Sequence, residues 1–367
     1  MRKYYPGITL FKLAGALLVL MGHITIPTLY FQYGQVPGLQ QAVAAIVPCF
    51  YMISGFLAYK GWMGTARPQG YIRRYLGGLA ALYATLCGLA LLLGNGTQAV
   101  YSAGAWHNAV LPLLRVYLVV GPYTSLWFVP PLLVGVAFCY YCQQRGRLRW
   151  AIGLAVVGFV AAQLLGGTWR VALEATAGNV GLYHWKYSEL LKLAVVNYLG
   201  LAVPFILAGV LVARHEAAFV ALPAWRLAVL ALGSTGLEFL LLGRLVQGPY
   251  TYLTHPLILS ILPVGVWLFY GVLHISSNGI RRYHAAINRF SALLYFSHQL
   301  LLPLSLSVLG LTIMDVWNRR LTAGQTLGVM LLTVLQVGLL AWVAGRLLAR
   351  RPPAAPAPPA PATLANL

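Results

Sequence analysis

Long apolar stretches recur along the whole chain, and they restrict its fold more than any other feature. Each runs for about 18 to 22 residues, the length that a helix needs to cross a hydrocarbon core roughly 30 Å thick. The sequence therefore predicts an all-α, polytopic membrane helix bundle of about ten transmembrane helices. The predicted spans are 8–28, 40–60, 74–94, 124–142, 151–167, 192–213, 225–243, 254–273, 289–311 and 325–346.

The composition agrees with a protein that is largely surrounded by lipid. Hydrophobic residues make up 60% of the chain, charged residues only 8%, and five residues are acidic. These values lie far outside the range of soluble globular domains. The eight histidines and five acids nowhere form a cluster with the spacing of metal ligands, so no metal site is predicted.

The net charge of +20 raises the question of a nucleic-acid partner, and the positions of the basic residues answer it. Of the 25 Lys and Arg residues, 17 fall in predicted cytoplasmic segments, 7 on the opposite side and one, Lys12, within the first span. This bias follows the positive-inside rule for an even number of spans with both termini in the cytoplasm. The basic residues thus indicate topology and contact with anionic membrane lipid, and no nucleic-acid partner is predicted.

One membrane domain, residues 1–350, accounts for nearly all of the chain. From residue 351 the sequence becomes rich in Pro and Ala, which cannot form a hydrophobic core. Residues 351–367 are therefore predicted to be a disordered cytoplasmic tail without a role in the mechanism.

Two ionisable residues in the first span, Lys12 and His23, are the first candidates for function. An ionisable side chain inside the hydrocarbon is costly unless it faces a cavity or a partner. The two are eleven residues apart, about three helical turns, so they share one face at a separation of roughly 16 Å along the axis. A cation near the inner surface and an imidazole deeper along the same face suit a long anionic donor from the cytoplasm. Snorkelling of Lys12 to lipid headgroups and an interhelical hydrogen bond of His23 are the alternatives.

Glu238 is an acid placed well inside a span, the seventh. Its predicted depth resembles that of His23, so we expect its carboxylate to orient or stabilise that imidazole. The alternative is an ion pair with Arg244 or Lys192 near the surface.

Five further residues are candidates for substrate binding or for close helix packing. His298, in the ninth span, should lie near mid-membrane, and Trp127 and Phe128, at the start of the fourth, either stack on a sugar or anchor the helix at the interface. All three are assigned to substrate binding. Ser54 and Gly55 are small neighbours that favour a close helix approach.

Four segments together resemble acyltransferase family three, the bacterial membrane acyltransferases that O-acylate glycans. The first span has a basic residue eleven positions before a His, and the second ends in VPCFYMISGFLAYK, similar to the family's aromatic-x-x-Ser-Gly-Phe-Leu segment. The fourth begins SLWFVPPLL and the ninth contains LLYFSHQLLL, which resemble the family's Leu-Trp-Phe-x-x-x-Leu and aromatic-x-x-His segments. The matched residues are Lys12, His23, Phe50, Tyr51, Ser54, Gly55, Phe56, Leu57, Leu126, Trp127, Phe128, Leu132, Tyr295 and His298.

The resemblance implies acyl-coenzyme A, usually acetyl-coenzyme A, as the donor, a glycan or glycolipid as the acceptor, and a location in the bacterial inner membrane. Lys12, Arg73 and Arg74 would bind the phosphates of the donor, and His23 would act as general base. The chain departs from the family at YIRRYLGGL, where Leu76 and Gly77 stand near the position of the second Arg of the family's Arg-x-x-Arg.

A transporter or flippase of a polysaccharide-related substrate is the alternative function. Prolines within predicted spans, such as Pro130, Pro131 and Pro204, resemble the interrupted helices of transporters. Dependence on acyl-coenzyme A separates the two functions, because a transporter releases no free thiol from it.

Overall fold

The computed structural model describes residues 4–32, 45–92, 115–120, 126–177, 188–245, 258–277, 279–317 and 321–349. These residues form helices, and the described part contains no strand. The helices are α1 (Pro6–Gln32), α2 (Ile46–Met63), α3 (Pro68–Leu92), α4 (Val129–Gln144), α5 (Leu148–Gly166), α6 (Thr168–Ala177), α7 (Ser188–Ala194), α8 (Val203–Arg214), α9 (Glu216–Val220), α10 (Ala224–Leu245), α11 (Ile261–His274), α12 (His284–Val308), α13 (Ile313–Trp317) and α14 (Ala323–Ala349). Arg115–Val120 and Val195–Ala202 are π-helical, and Arg281–Tyr283 is a 3-10 turn.

Seven helices in the described part are long and apolar enough to cross a membrane. Each overlaps a predicted span, and the remaining three predicted spans overlap α2, α4 and α11, which are shorter or less apolar. The all-α, multi-pass membrane bundle is thus confirmed, whereas the number ten and the cytoplasmic termini stay predictions. The predicted tail, 351–367, lies outside the described residues.

The centre of the bundle is the continuous helix that runs through α7, the second π-helical segment and α8. In an 18-residue window of the span Leu191–Arg214, 72% of the residues are buried within the protein, compared with 11% in Ala224–Leu241. Hydropathy does not account for this difference, because Ala323–Arg346 has the same mean hydropathy as Leu191–Arg214, 2.2, and only 17% of its window is buried. A helix that faces lipid and a helix at the centre of the bundle both need an apolar sequence. They differ in how closely other helices pack around them.

Helices α2 and α8 approach until their backbones touch. A Cβ on Gly55 would overlap the carbonyl oxygen of Ile206, and a Cβ on Gly209 would overlap that of Met52. The close approach predicted at Gly55 is therefore present, and α8 supplies the second glycine of the contact.

Helices α1 and α12 are parallel and in register over most of their length. The hydroxyl of Thr9 lies 2.7 Å from Nδ1 of His284, a pair 275 residues apart. The rings of His23 and His298 have centroids 5.3 Å apart, and 298 minus 23 is again 275. The fourteen residues between the two contacts correspond to about 21 Å of helix. Polar residues on α1 thus contact polar residues on α12 at two separate depths.

Candidate active site

A cavity of about 410 Å³ lies between α1, α2, α3, α4 and α12. The described residues that line it include one lysine and one histidine and no acid. Hydroxyl and amide groups make up much of the remaining polar lining, and aliphatic and aromatic side chains form the rest. The polar lining includes Tyr4, Tyr5, Thr9, Lys12, Tyr51, Ser54, Tyr75, His284, Asn288, Ser291 and Tyr295.

Lys12 contributes the positive charge of this cavity. Its side chain is half-buried and, among the described residues, it has no carboxylate partner. A buried cation without a carboxylate favours an anionic ligand, because an ion pair offsets part of the cost of removing the ammonium group from water. The cavity is therefore a suitable site for the predicted role of Lys12, which is to bind an anion.

His284 and Asn288 form a polar cluster with Thr9 that sequence reasoning missed. The amide nitrogen of Asn288 donates to the carbonyl oxygen of His284 at 3.0 Å and lies 3.0 Å from Nδ1 of its ring. The Tyr4 ring meets the imidazole edge to face, with centroids 4.8 Å apart. One signal was available: His284 precedes His298 by fourteen residues, about four helical turns, so the two share a helix face.

An ion pair lies next to the end of the cavity at Tyr5. Nζ of Lys60 lies 2.7 Å from Oε2 of Glu216, and the hydroxyl of Tyr5 donates to the same oxygen at 3.0 Å. Burial, and then the Glu216 carboxylate, raise the pKa of Tyr5, so that its phenol keeps its proton. The start of α1, the end of α2 and the start of α9 thus meet at one end of the bundle.

An aromatic layer bounds the cavity on the side of α1 that leads toward His23. The ring of Tyr295 lies 4.7 Å from that of Phe50 and 4.8 Å from that of Phe128, centroid to centroid. Phe296 packs against Phe128 at 6.0 Å. Phe50 also contacts α1 at Gly15, one turn beyond Lys12. Phe128 is buried in this layer and lines the cavity, whereas Trp127 is half-buried, packs against the hydrophobic core and is not part of the lining.

His23 and His298 lie beyond the aromatic layer, next to each other. His23 is half-buried, whereas His298 is 1% exposed. Neither lines the cavity, although both belong to the helices that form it. The structure therefore brings the two histidines together and leaves Lys12 about three helical turns away, as the spacing on α1 predicts.

Glu238 lies in a different environment, bonded to donors from other parts of the chain. Its Oε1 accepts from the hydroxyl of Thr168 and from the backbone N–H of Leu259 at 2.6 Å. Its Oε2 accepts from the backbone N–H of Ser260 at 2.9 Å and from the Ser260 hydroxyl at 2.5 Å. Among the described residues these are its partners, and His23 is not one of them. Of the two partners in the alternative prediction, Lys192 is not among these donors, and the side chain of Arg244 lies outside the described part.

Arg73 and Arg74 lie on the exposed side of α3 and do not line the cavity. Nε of Arg74 donates to the carbonyl oxygen of Gly70 at 3.3 Å. The next residue, Tyr75, does line the cavity. Arg73 and Arg74 thus precede the cavity-lining Tyr75 by two positions and one position, and both are exposed on the same helix.

Comparison with known proteins identifies the family of this chain. The model of a family described as an acyltransferase domain, acyltransferase family three, matches residues 5–342. No curated protein and no solved structure matches the chain. The match includes the cavity, the aromatic layer, the histidine pair and Glu238. Since it covers nearly the whole membrane bundle, the chain belongs to acyltransferase family three and is a membrane acyltransferase.

Proposed function

We propose that the protein transfers an acyl group, acetyl in the first instance, from cytoplasmic acyl-coenzyme A to a hydroxyl of a glycan or glycolipid at the outer face of the bacterial inner membrane. The observation that carries this proposal is the alignment of two sites on α1 and α12. A cavity with one lysine and no acid lies at one depth, and a pair of histidines lies about 16 Å further along the same helix faces.

The cavity supports an anionic donor. Coenzyme A carries several phosphate charges, and a lysine among hydroxyl groups offers them a charged hydrogen-bond donor and neutral ones. Arg73 and Arg74, exposed on α3 beside the Tyr75 wall, would bind phosphates that remain outside the cavity. No acidic side chain among the described lining residues opposes this charge.

The long, narrow arm of coenzyme A supports transfer between the two depths. For the thioester to reach His23, the arm must pass the rings of Phe50, Phe128 and Tyr295, which are in contact in this structure. A rotation of these side chains opens that path without any movement of helices. The acceptor hydroxyl then approaches His23 from the opposite side.

His23 is the proposed general base. A neutral imidazole takes the proton of the acceptor hydroxyl as the oxygen attacks the thioester carbon. The new C–O bond forms, the C–S bond breaks, and the proton passes from His23 to the departing sulfur. The products are the glycan ester and coenzyme A with a free thiol, so no other reactant is needed.

Transport of a polysaccharide-related substrate has less support. Pro130 and Pro131 occupy the first turn of α4, where proline is favourable, and so do not interrupt a helix, whereas Pro204 lies where the π-helical segment Val195–Ala202 passes into α8. Family membership indicates group transfer instead.

The test is the release of free thiol from acetyl-coenzyme A by purified protein in lipid, with a pool of glycan acceptors. Wild type is compared with His23→Ala and with His274→Ala, whose ring lies at the end of α11 and bonds to backbone carbonyls of Tyr270 and Val220. We expect acceptor-dependent release by wild type and His274→Ala and at least a 100-fold slower rate for His23→Ala. Equal rates for all three would overturn the role of His23, and no release together with no coenzyme A binding would overturn the function.

A further inference from the structure

Among the described residues, the imidazole of His298 has hydrogen-bond partners at one nitrogen and none at the other. Nδ1 lies 2.9 Å from the carbonyl oxygen of Leu294 and 3.0 Å from that of Tyr295. Carbonyl oxygens only accept, so Nδ1 must carry the ring proton. Nε2 is buried and, among the described residues, has no hydrogen-bond partner.

This arrangement determines the tautomer of His298. With its proton on Nδ1, the neutral ring presents a lone pair at Nε2 and is an acceptor there. A buried acceptor without a donor is unfavourable, and the few such groups in folded proteins are often functional. The backbone of α12 therefore holds an acceptor in the interior of the bundle.

His23 is the neighbouring side chain that is able to supply the donor. Two imidazoles joined by an N–H···N hydrogen bond have ring centres about 5.2 Å apart, with about 3 Å between the nitrogens and about 1.1 Å from each nitrogen to its ring centre. The observed centroid distance is 5.3 Å, with an interplanar angle of 32°. A rotation of the half-buried His23 ring that turns one of its nitrogens toward Nε2 of His298 would complete such a bond at this separation.

We propose that His298 is the positioning residue of His23, which it orients by accepting the N–H of that ring at Nε2. The bond leaves the other nitrogen of His23 unprotonated and free to face the acceptor hydroxyl. This inference rests on the proposed function, and it assigns to a histidine the role that Glu238 was expected to have.

The same bond is kept during acyl transfer. His23 takes the hydroxyl proton at its free nitrogen while its other N–H stays bonded to Nε2 of His298. When the C–S bond breaks, His23 returns the hydroxyl proton to sulfur, so His298 itself neither gains nor loses a proton. Its contribution is the tautomer and the orientation of His23.

The first test detects the hydrogen bond without any reaction. Solid-state ¹⁵N NMR of the full chain, labelled at histidine and reconstituted in lipid, distinguishes protonated from unprotonated ring nitrogens. We expect one ring with its proton on Nδ1 whose signals are lost in His298→Met, and a change in the His23 signals in the same variant. His23 signals that are identical in wild type and His298→Met would overturn the proposal.

The reciprocal measurement covers the case in which His298→Met does not fold. In His23→Ala, the Nε2 signal of His298 should move, because its donor has been removed. An unmoved signal contradicts the proposal as directly as the first test does.

The second test separates positioning from a merely structural role. Met keeps the approximate size of the side chain and has no strong acceptor, whereas Gln keeps a carbonyl acceptor near the position of Nε2. We expect His298→Met to lower kcat about 30-fold with KM for acetyl-coenzyme A within about twofold, and His298→Gln to recover at least one third of the wild-type kcat. Equal losses in both variants contradict positioning by an acceptor.

The double variant His23→Ala/His298→Met completes the design. If His298 acts through His23, the double variant is no slower than His23→Ala alone, because the two effects are not additive. Independent effects would multiply and overturn the proposal. A wild type that shows the NMR coupling but no thiol release would contradict the acyltransferase proposal and leave the histidine pair intact.

Discussion

Glu238 and His298 are both buried ionisable residues of the membrane bundle, and their surroundings are opposite. The two oxygens of Glu238 accept hydrogen bonds from Thr168, Leu259 and Ser260. His298 has its Nδ1 bonded to its own helix and its Nε2 without a partner among the described residues. The first group is saturated with donors from other parts of the chain, and the second keeps one lone pair available.

The difference separates a structural role from a chemical one. A carboxylate that accepts four hydrogen bonds holds together the start of α6, α10 and the residues before α11, and has little capacity left for a substrate. An imidazole with an open acceptor next to a second imidazole is able to act on that neighbour. The comparison favours stability as the contribution of Glu238, although its predicted catalytic role is still to be tested.

The largest effect is expected for His23→Ala. Loss of a general base slows a reaction by a factor of 10² to 10⁴, and we expect about 10³, equivalent to about 4 kcal/mol of activation free energy. Thermal unfolding in lipid should change little, since the half-buried ring loses the one hydrogen bond proposed with His298, worth about 1 kcal/mol. A marked loss of stability with normal turnover would indicate a structural role for His23, like the one inferred for Glu238.

Glu238→Gln is the converse experiment. The amide presents an NH₂ group to donors that now bond a carboxylate, so the free energy of unfolding should fall by about 2 to 3 kcal/mol. Turnover per folded molecule should remain within about twofold, measured by thiol release after normalisation to folded protein. Asp315→Asn, a change at an acid outside the cavity lining, is the control. Normal stability with lost turnover would support the catalytic role predicted for Glu238.

Lys12→Met tests a charged residue that belongs to neither class. Its ammonium group lines a cavity rather than a saturated cluster, so its removal should leave stability unchanged or slightly higher. The loss of one charged hydrogen bond to the donor is expected to raise KM for acetyl-coenzyme A about tenfold, which corresponds to about 1.4 kcal/mol. An unchanged KM would support the alternative interpretation, in which Lys12 contacts lipid headgroups.

The smallest effect is expected for the double variant Arg73→Ala/Arg74→Ala. Exposed charges contribute about 0.5 kcal/mol, so KM should rise about twofold, and less at high salt. Coenzyme A titrations at low and high ionic strength measure this. A rise in KM larger than that of Lys12→Met would indicate that the phosphates bind at the surface of α3 and not in the cavity.

The sequence predicted the residues on one helix face better than it predicted their partners. Lys12 and His23 were found because a helix has a fixed period and because charge is rare in hydrocarbon. The neighbour of His23 was not found, because it is supplied by a helix 275 residues later in the chain, and no local pattern encodes that pairing. His298 was accordingly assigned to substrate binding.

The donors around Glu238 and the polar cluster of the cavity were missed for a related reason. Thr168 and Ser260 lie at helix starts, where polar residues are common and carry no signal, and the one signal for His284 was its fourteen-residue spacing from His298. The helical class of the fold, in contrast, follows from the length of apolar stretches alone. Hydropathy defines which segments span the membrane, whereas lateral packing defines which of them touch.

The glycine contact between α2 and α8 has a mechanical consequence. Because Gly55 meets the backbone of Ile206 and Gly209 meets that of Met52, neither helix is able to slide or roll without a collision between main-chain atoms. The pair acts as a fixed frame, so passage from the cavity to the histidine pair depends on rotation of side chains in the aromatic layer. Helix α1 has a similar contact with α11, because a Cβ on Gly7 would overlap the carbonyl oxygen of Val272, and the walls of the site can therefore stay in place throughout the working cycle.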